Sequence, residues 1–203
     1  MSASPYSEAM AGRLDTLHPR LLQYFSTIPD GFVGSGRGTF DVVGTPRRWL
    51  WPVLAMLAGG GILFPVWQTD VPFEIENRQT DDGLRARRVF HLVGGDRVMV
   101  DRMRAVAGRL VDALGTRGAL RAGFDANVDD GALVLRSNAV GLRVGRAHVS
   151  LPAVIRPRVT LVERIDGSTE RQHVALTIDL PVIGRIYEYS GSFDYEVRAK
   201  GEQ

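Results

Sequence analysis

From residue 70 onward apolar residues recur at every second position, and this period restricts what the chain can become. Val71, Phe73 and Ile75 alternate with Pro72, Glu74 and Glu76, and Val174, Leu176, Ile178 and Leu180 alternate with His173, Ala175, Thr177 and Asp179. Phe193, Tyr195 and Val197 alternate with Asp194, Glu196 and Arg198, while Val159, Leu161, Glu163 and Ile165 share a side. This is the pattern of strands with one buried face. Between the runs stand Asp81-Asp82-Gly83, Gly94-Gly95-Asp96, Asp129-Asp130-Gly131 and Asp166-Gly167, whose residues tolerate the positive φ of tight hairpins. Such short connections join only antiparallel neighbours. The spacing predicts a meander of about eight to ten strands, and a sheet of that size closes or curls.

The expected fold is therefore mainly β: a large antiparallel β-barrel or strongly curved sheet, lipocalin-like or half-barrel, with short N-terminal helices and an apolar helical plug. No repeat or linker divides the 203 residues, so a single domain is expected over 1–203. Its parts would be N-terminal helices in 1–28, an apolar insertion at 46–67 and the sheet over 70–198. Ser4-Pro5 and His18-Pro19 each place a cap before a proline in the first helical turn. Leu14, Leu17, Leu21, Leu22 and Phe25 would form one buried stripe, broken or kinked at Pro19. Met1 to Asp15 has no apolar run and carries Glu8, Arg13 and Asp15, so no secretory signal is read and a cytoplasmic, membrane-peripheral location is expected.

The segment from Trp49 to Trp67 contains no charge. It reaches the length of a membrane span, but Pro52, Gly59-Gly60-Gly61 and Pro65 interrupt it. Thr45-Pro46 predicts a helix from Pro46 to Ala58, stopped by the glycines, apolar on every face and thus deeply buried or in contact with lipid. Trp49, Trp51 and Trp67 are the chain's three tryptophans, and with Arg47 and Arg48 beside two of them they suit a headgroup boundary.

Chemistry-bearing motifs are few. With no cysteine, disulfides, thiolate metal sites and thiol catalysis are excluded. Gly34-Ser35-Gly36-Arg37-Gly38 is followed by Thr39 to Gly44, which reads as strand, so it is a flexible glycine turn and not a dinucleotide loop. Asp125 to Gly131 fails the calcium-loop pattern, because its glycine comes one place late and Arg136 stands where a bidentate Glu is needed. His18, His91, His148 and His173 lack metal-ligand spacing, although His148 and His173 fall on strands that could meet. No cofactor is indicated and no catalytic residue is assigned. Glu74 and Glu76 fit a polar outer face. Arg85 with Arg87, Arg102 with Arg104, and Arg156 with Arg158 each project from one side of a strand, as forked donors for a phosphate or carboxylate would. A net charge of +2, without a basic-aromatic motif, argues against nucleic acid as a partner.

His18 to Phe25, the stretch GTFDVVGTPRRW, Arg88-Val89-Phe90, DGALVLRSNAVGL, Leu151-Pro152 and above all DLPVIGRIYEYSGSF from Asp179 to Phe193 resemble the bacterial family called domain of unknown function 4166. In the last motif Pro181, Gly184, Tyr189 and Gly191 are the most specific residues. The resemblance covers His18 to Val197 and implies no established activity. Its members occur alone or joined to the C-terminal side of dehydrogenase-like or membrane-protein segments, which makes an oxidoreductase a candidate partner. Physically, Pro181 and Gly184 would bend the chain between two strands, placing Tyr187 and Tyr189 on one side of the last strand.

The functional expectation is non-catalytic binding of a small hydrophobic or lipid-like molecule, with peripheral membrane contact. Trp49, Trp51, Trp67, Arg102, Arg104, Tyr187 and Tyr189 are the candidate ligand-binding residues, the arginines meeting an anionic head. The alternatives are an enzyme or accessory domain working with an oxidoreductase, and a structural or partner-binding module. An acid or base (His91, His148, His173, Glu74 or Asp101) facing inward beside a polar partner would favour catalysis, and an all-apolar lining would favour carriage.

Overall fold

The computed structural model describes residues 3–115, 118–145 and 147–201. Among these, eleven antiparallel strands form one sheet. They are β1 (Phe32–Gly44), β2 (Trp67–Thr80), β3 (Gly83–Leu92), β4 (Gly95–Val106), β5 (Arg109–Leu114), β6 (Leu120–Asp129), β7 (Ala132–Val144), β8 (Ala147–Ser150), β9 (Arg158–Ile165), β10 (Gln172–Leu180) and β11 (Gly184–Ala199). Ten of them close a ring, because β1 pairs β11, β6 pairs β7 and β7 pairs β9, while β8 hangs on the end of β7. The hairpin turns at 81–82, 93–94 and 130–131 fall on the Asp/Gly clusters. The connection at Asp166 is longer, and Asp166 Oδ1 organises it by accepting from the Ser168 and Thr169 amides at 2.8 and 3.0 Å.

Alternation sorts the two faces as expected. Val71, Phe73 and Ile75 are buried inside, whereas Glu74, Arg85 and Arg87 are exposed. The glycine-rich stretch corrects the sequence reading, for Gly34, Gly36 and Gly38 lie within β1 and form no turn. All three face inward because side chains of neighbouring strands lie across them. A Cβ on Gly34 would sit 1.6 Å from the Tyr195 hydroxyl oxygen, and one on Gly38 would sit 2.1 Å from the Ser192 carbonyl oxygen and 2.5 Å from Phe193 Cβ. Strand glycines commonly mark such a close approach.

At one end of the barrel sit α1 (Pro5–Met10) and α2 (Pro19–Phe25), joined by a short 3-10 turn at Arg13–Thr16. Ser4 caps α1, its Oγ accepting from the Tyr6 amide and donating to the Phe25 carbonyl, and His18 Nδ1 caps α2 by accepting from the Arg20 amide. Leu14, Leu17, Leu21 and Phe25 are buried and Leu22 is half-buried, so the stripe exists but spans two elements. At the opposite end the 46–67 segment forms a 3-10 turn (Arg48–Leu50) and α3 (Trp51–Ala58), with the glycines ending the helix as predicted. The helix thus starts later than Pro46. Among the described residues no helix is long and apolar enough to cross a membrane.

Candidate functional site

The barrel is filled unevenly. On the side of β1, β2, β3 and β11, rings pack in series: Phe40 stacks on Phe73 at 3.9 Å between centroids and on Phe90 at 5.3 Å, and Phe73 meets Phe193 edge-on at 5.6 Å. The opposite wall carries Leu114, Leu120, Leu135, Leu161, Leu176 and Ile178, whose shorter side chains leave a cavity of about 230 Å3. Leu50, Leu54 and Leu57 of the lid segment cover it, and Tyr6 and Tyr24 lie at its floor.

Four charged residues break the apolar inner face at positions that alternation assigns to the interior. Arg88 lies between Ala86 and Phe90 on β3, and Asp101 between Met99 and Met103 on β4. Asp112 lies between Leu110 and Leu114 on β5, and Glu163 between Leu161 and Ile165 on β9. Arg88 Nη1 donates to Asp101 Oδ1, both side chains being largely withdrawn from water. Glu163 accepts from the Gln172 amide. Burial pushes the Glu163 carboxyl from 4.5 up to about 7, the Gln172 bond offsetting part of the effect. Burial, reinforced by the nearby Asp101 charge, raises Asp112 well above the carboxylate range. Asp112 Oδ1 has no hydrogen-bond partner among the described residues. A protonated Asp112 can therefore offer an O–H donor to the cavity, while Arg88, the one interior guanidinium among the described residues, is already matched by Asp101. No group of three such side chains comes close enough to hold a metal ion among the described residues.

The predicted site residues scatter over three places. Tyr189 lines the cavity, and Tyr187 is fully buried beside it without reaching the lining. Trp49 and Trp67 are exposed at the lid end, and Trp51 is half-buried with the Arg48 guanidinium 5.9 Å from its ring centroid. None of the three tryptophans lines the cavity. Arg102 and Arg104 point outward and each donates to Asp82 Oδ2 at 2.6 Å. Although burial opposes it, the Thr80 hydroxyl and these two guanidinia hold the Asp82 carboxyl below its usual range. With Arg85 and Arg121 they border an outer groove of about 240 Å3, separated from the cavity by the barrel wall. Arg156 precedes β9 and does not share a strand with Arg158; it donates to the Leu151 and Asn138 carbonyls at 3.2 and 2.9 Å. His148 and His173 do not meet, since His148 lies on β8 at the lid end and His173 near the far end of β10.

Of the interior charges, Asp101 is among the acids named from the sequence, and it faces inward beside Arg88. Arg88, Asp112 and Glu163 were not singled out, although a carboxylate or guanidinium on an otherwise apolar alternating face is a usable signal. Glu163 shares the apolar side of its strand with Val159, Leu161 and Ile165 in the sequence alternation itself. Pro181 and Gly184 bound the turn between β10 and β11, Gly184 at φ +77°, as the motif suggested.

The family model described as a domain of unknown function (DUF4166) matches residues 17–193. No curated protein and no solved structure matches the chain.

Proposed function

The chain belongs to the family described as domain of unknown function 4166, and for this member we propose that the barrel binds a small amphipathic molecule inside its wall. The observation that carries the reading is the 230 Å3 cavity, apolar on its walls with a few convergent polar groups at Arg88, Asp101, Asp112 and Glu163. An apolar cavity of about 150 Å3 holds one benzene ring, so by proportion this one takes roughly nine non-hydrogen atoms. A medium-chain molecule fits that space and a two-chain phospholipid does not.

The polar end selects a head that accepts from Asp112 or donates to the interior carboxylates, such as a hydroxyl or an amine. An anionic head would find its one cation already paired and would add negative charge to a low-dielectric site. Octan-1-ol, octylamine and octanoate separate these cases by calorimetric titration. The alcohol and the amine are expected to bind and octanoate to bind at least roughly tenfold more weakly, a difference of about 1.4 kcal/mol. Leu161→Trp, which fills the cavity from its wall, abolishes all binding while the protein stays folded. Binding of none of the three probes, or unchanged binding to the Leu161→Trp protein, removes the proposal.

A second reading, an enzyme with Glu163 as acid and base, is favoured by the position of that carboxyl near neutrality on a cavity wall. It requires turnover of a bound compound that Glu163→Gln eliminates while binding persists.

A further inference from the structure

The twelve large apolar side chains that the described residues leave exposed are distributed unevenly along the barrel. Consecutive strands run in opposite directions, so the connections fall alternately at the two ends. All the exposed apolar residues except Phe32 and Val106 stand at the lid end. Met56 on α3 is 83% exposed, Val93 in the β3–β4 turn 95%, Val154 before β9 77% and Val182 in the β10–β11 turn fully exposed. Four separate segments therefore present apolar tips around the mouth of one cavity.

Val182 also has a φ of +70°, a conformation that a β-branched residue adopts only under strain. An apolar, strained and wholly exposed tip gains nothing for the isolated fold.

Charge is divided along the same axis. The described connections at the lid end (45–66, 93–94, 151–157 and 181–183) contain Arg47, Arg48 and Arg156 and no carboxylate. Those at the other end (3–31, 81–82, 107–108, 130–131, 166–171 and 200–201) carry Glu8, Asp15, Asp30, Asp81, Asp82, Asp130, Asp166 and Glu170 against Arg13, Arg20, Arg171 and Lys200. A surface that is apolar and positive at one end and acidic at the other has a preferred orientation toward a negative plane.

We infer that the lid end is a docking face for an anionic lipid bilayer. Trp49 and Trp67, exposed on it, have the amphipathic rings that collect at headgroup depth. The charged outer wall, with Glu74, Arg85, Arg87, Arg102 and Arg104, keeps the strands themselves out of the hydrocarbon, so contact is end-on. Lid-first docking sets the mouth of the cavity against the acyl region.

The test is co-sedimentation with vesicles of phosphatidylcholine alone and of phosphatidylcholine mixed with phosphatidylglycerol. The protein is expected to sediment with the mixed vesicles and only weakly with the neutral ones. Met56→Asp combined with Val182→Asp changes two exposed tips, one on α3 and one in the β10–β11 turn, and leaves the core untouched. It is expected to weaken partitioning by roughly tenfold or more, with an unchanged urea midpoint. Failure to bind the mixed vesicles, equal binding to both kinds, or full binding by the double variant each overturns the inference. So does a dimer in solution that the double variant dissociates while vesicles are ignored, which would assign the face to a second copy of the chain. These outcomes do not depend on what the cavity binds.

Discussion

Replacing Glu163 by Gln should change how the stability of the barrel depends on pH, and by a calculable amount. In the folded protein this carboxyl is held protonated up to about pH 7 by burial, whereas in the unfolded chain it ionises at its ordinary value of 4.5. A folded-state pKa raised for an acid means that the native state binds more protons than the unfolded one between those values, so stability falls as pH rises through that window. At about 1.4 kcal/mol per pH unit, the parent should lose about 3 kcal/mol from this residue between pH 4.5 and pH 8. Glutamine has no charge to bury and keeps an amide partner for Gln172. Urea unfolding across that range should show Glu163→Gln close to the parent at about pH 4 and more stable by about 3 kcal/mol at about pH 8. Because the difference isolates one residue, the titration of other groups cancels to first order. Parallel stability profiles for the two proteins would refute the argument, and with it the claim that Glu163 sits in a dry interior.

Three other perturbations probe separate parts of the fold. Gly38→Ala brings a Cβ to 2.1 Å from the Ser192 carbonyl oxygen, where only backbone movement relieves the clash, and should cost about 3 kcal/mol or more in denaturant unfolding. Ser4→Ala removes the α1 cap and the bond to the Phe25 carbonyl, and should cost about 1–2 kcal/mol by the same measurement. Val182→Asn relieves the positive φ without touching a neighbour; it should raise stability by about 1 kcal/mol while reducing vesicle binding, a divergence that a purely structural valine would not produce.

The strands, their antiparallel order and their inner faces were legible because a period of two survives in Val71-Phe73-Ile75 and Val174-Leu176-Ile178 without reference to tertiary structure. Hairpins were legible for the same reason, since Asp and Gly at a turn answer a local φ requirement. The glycines of β1 were misread because the space they leave is claimed by Tyr195 and Phe193, more than 150 residues away in the chain. Local rules assign a run of glycines to a turn; only the partner strand reveals that the missing side chains are replaced by aromatic rings from next door. Arg102 and Arg104 were correctly read as sharing a side, but alternation does not say which side is out, and the choice rested on the expected ligand. The four interior charges come from four strands, so their convergence depends on barrel closure and is invisible to any single segment.

The two ends of the barrel are fastened differently. Beneath the cavity, Met10, Leu21 and Phe25 are wholly withdrawn from water and Ser4 ties the chain's beginning to the end of α2. Above it, Leu54 is the one buried residue of α3, which ends in three successive glycines. Local opening follows the sparser packing, so the vessel has a fixed base and a single door. A molecule bound inside as proposed would enter past the tryptophan-bearing flap, and amide hydrogen exchange should be fastest there and slowest under α2.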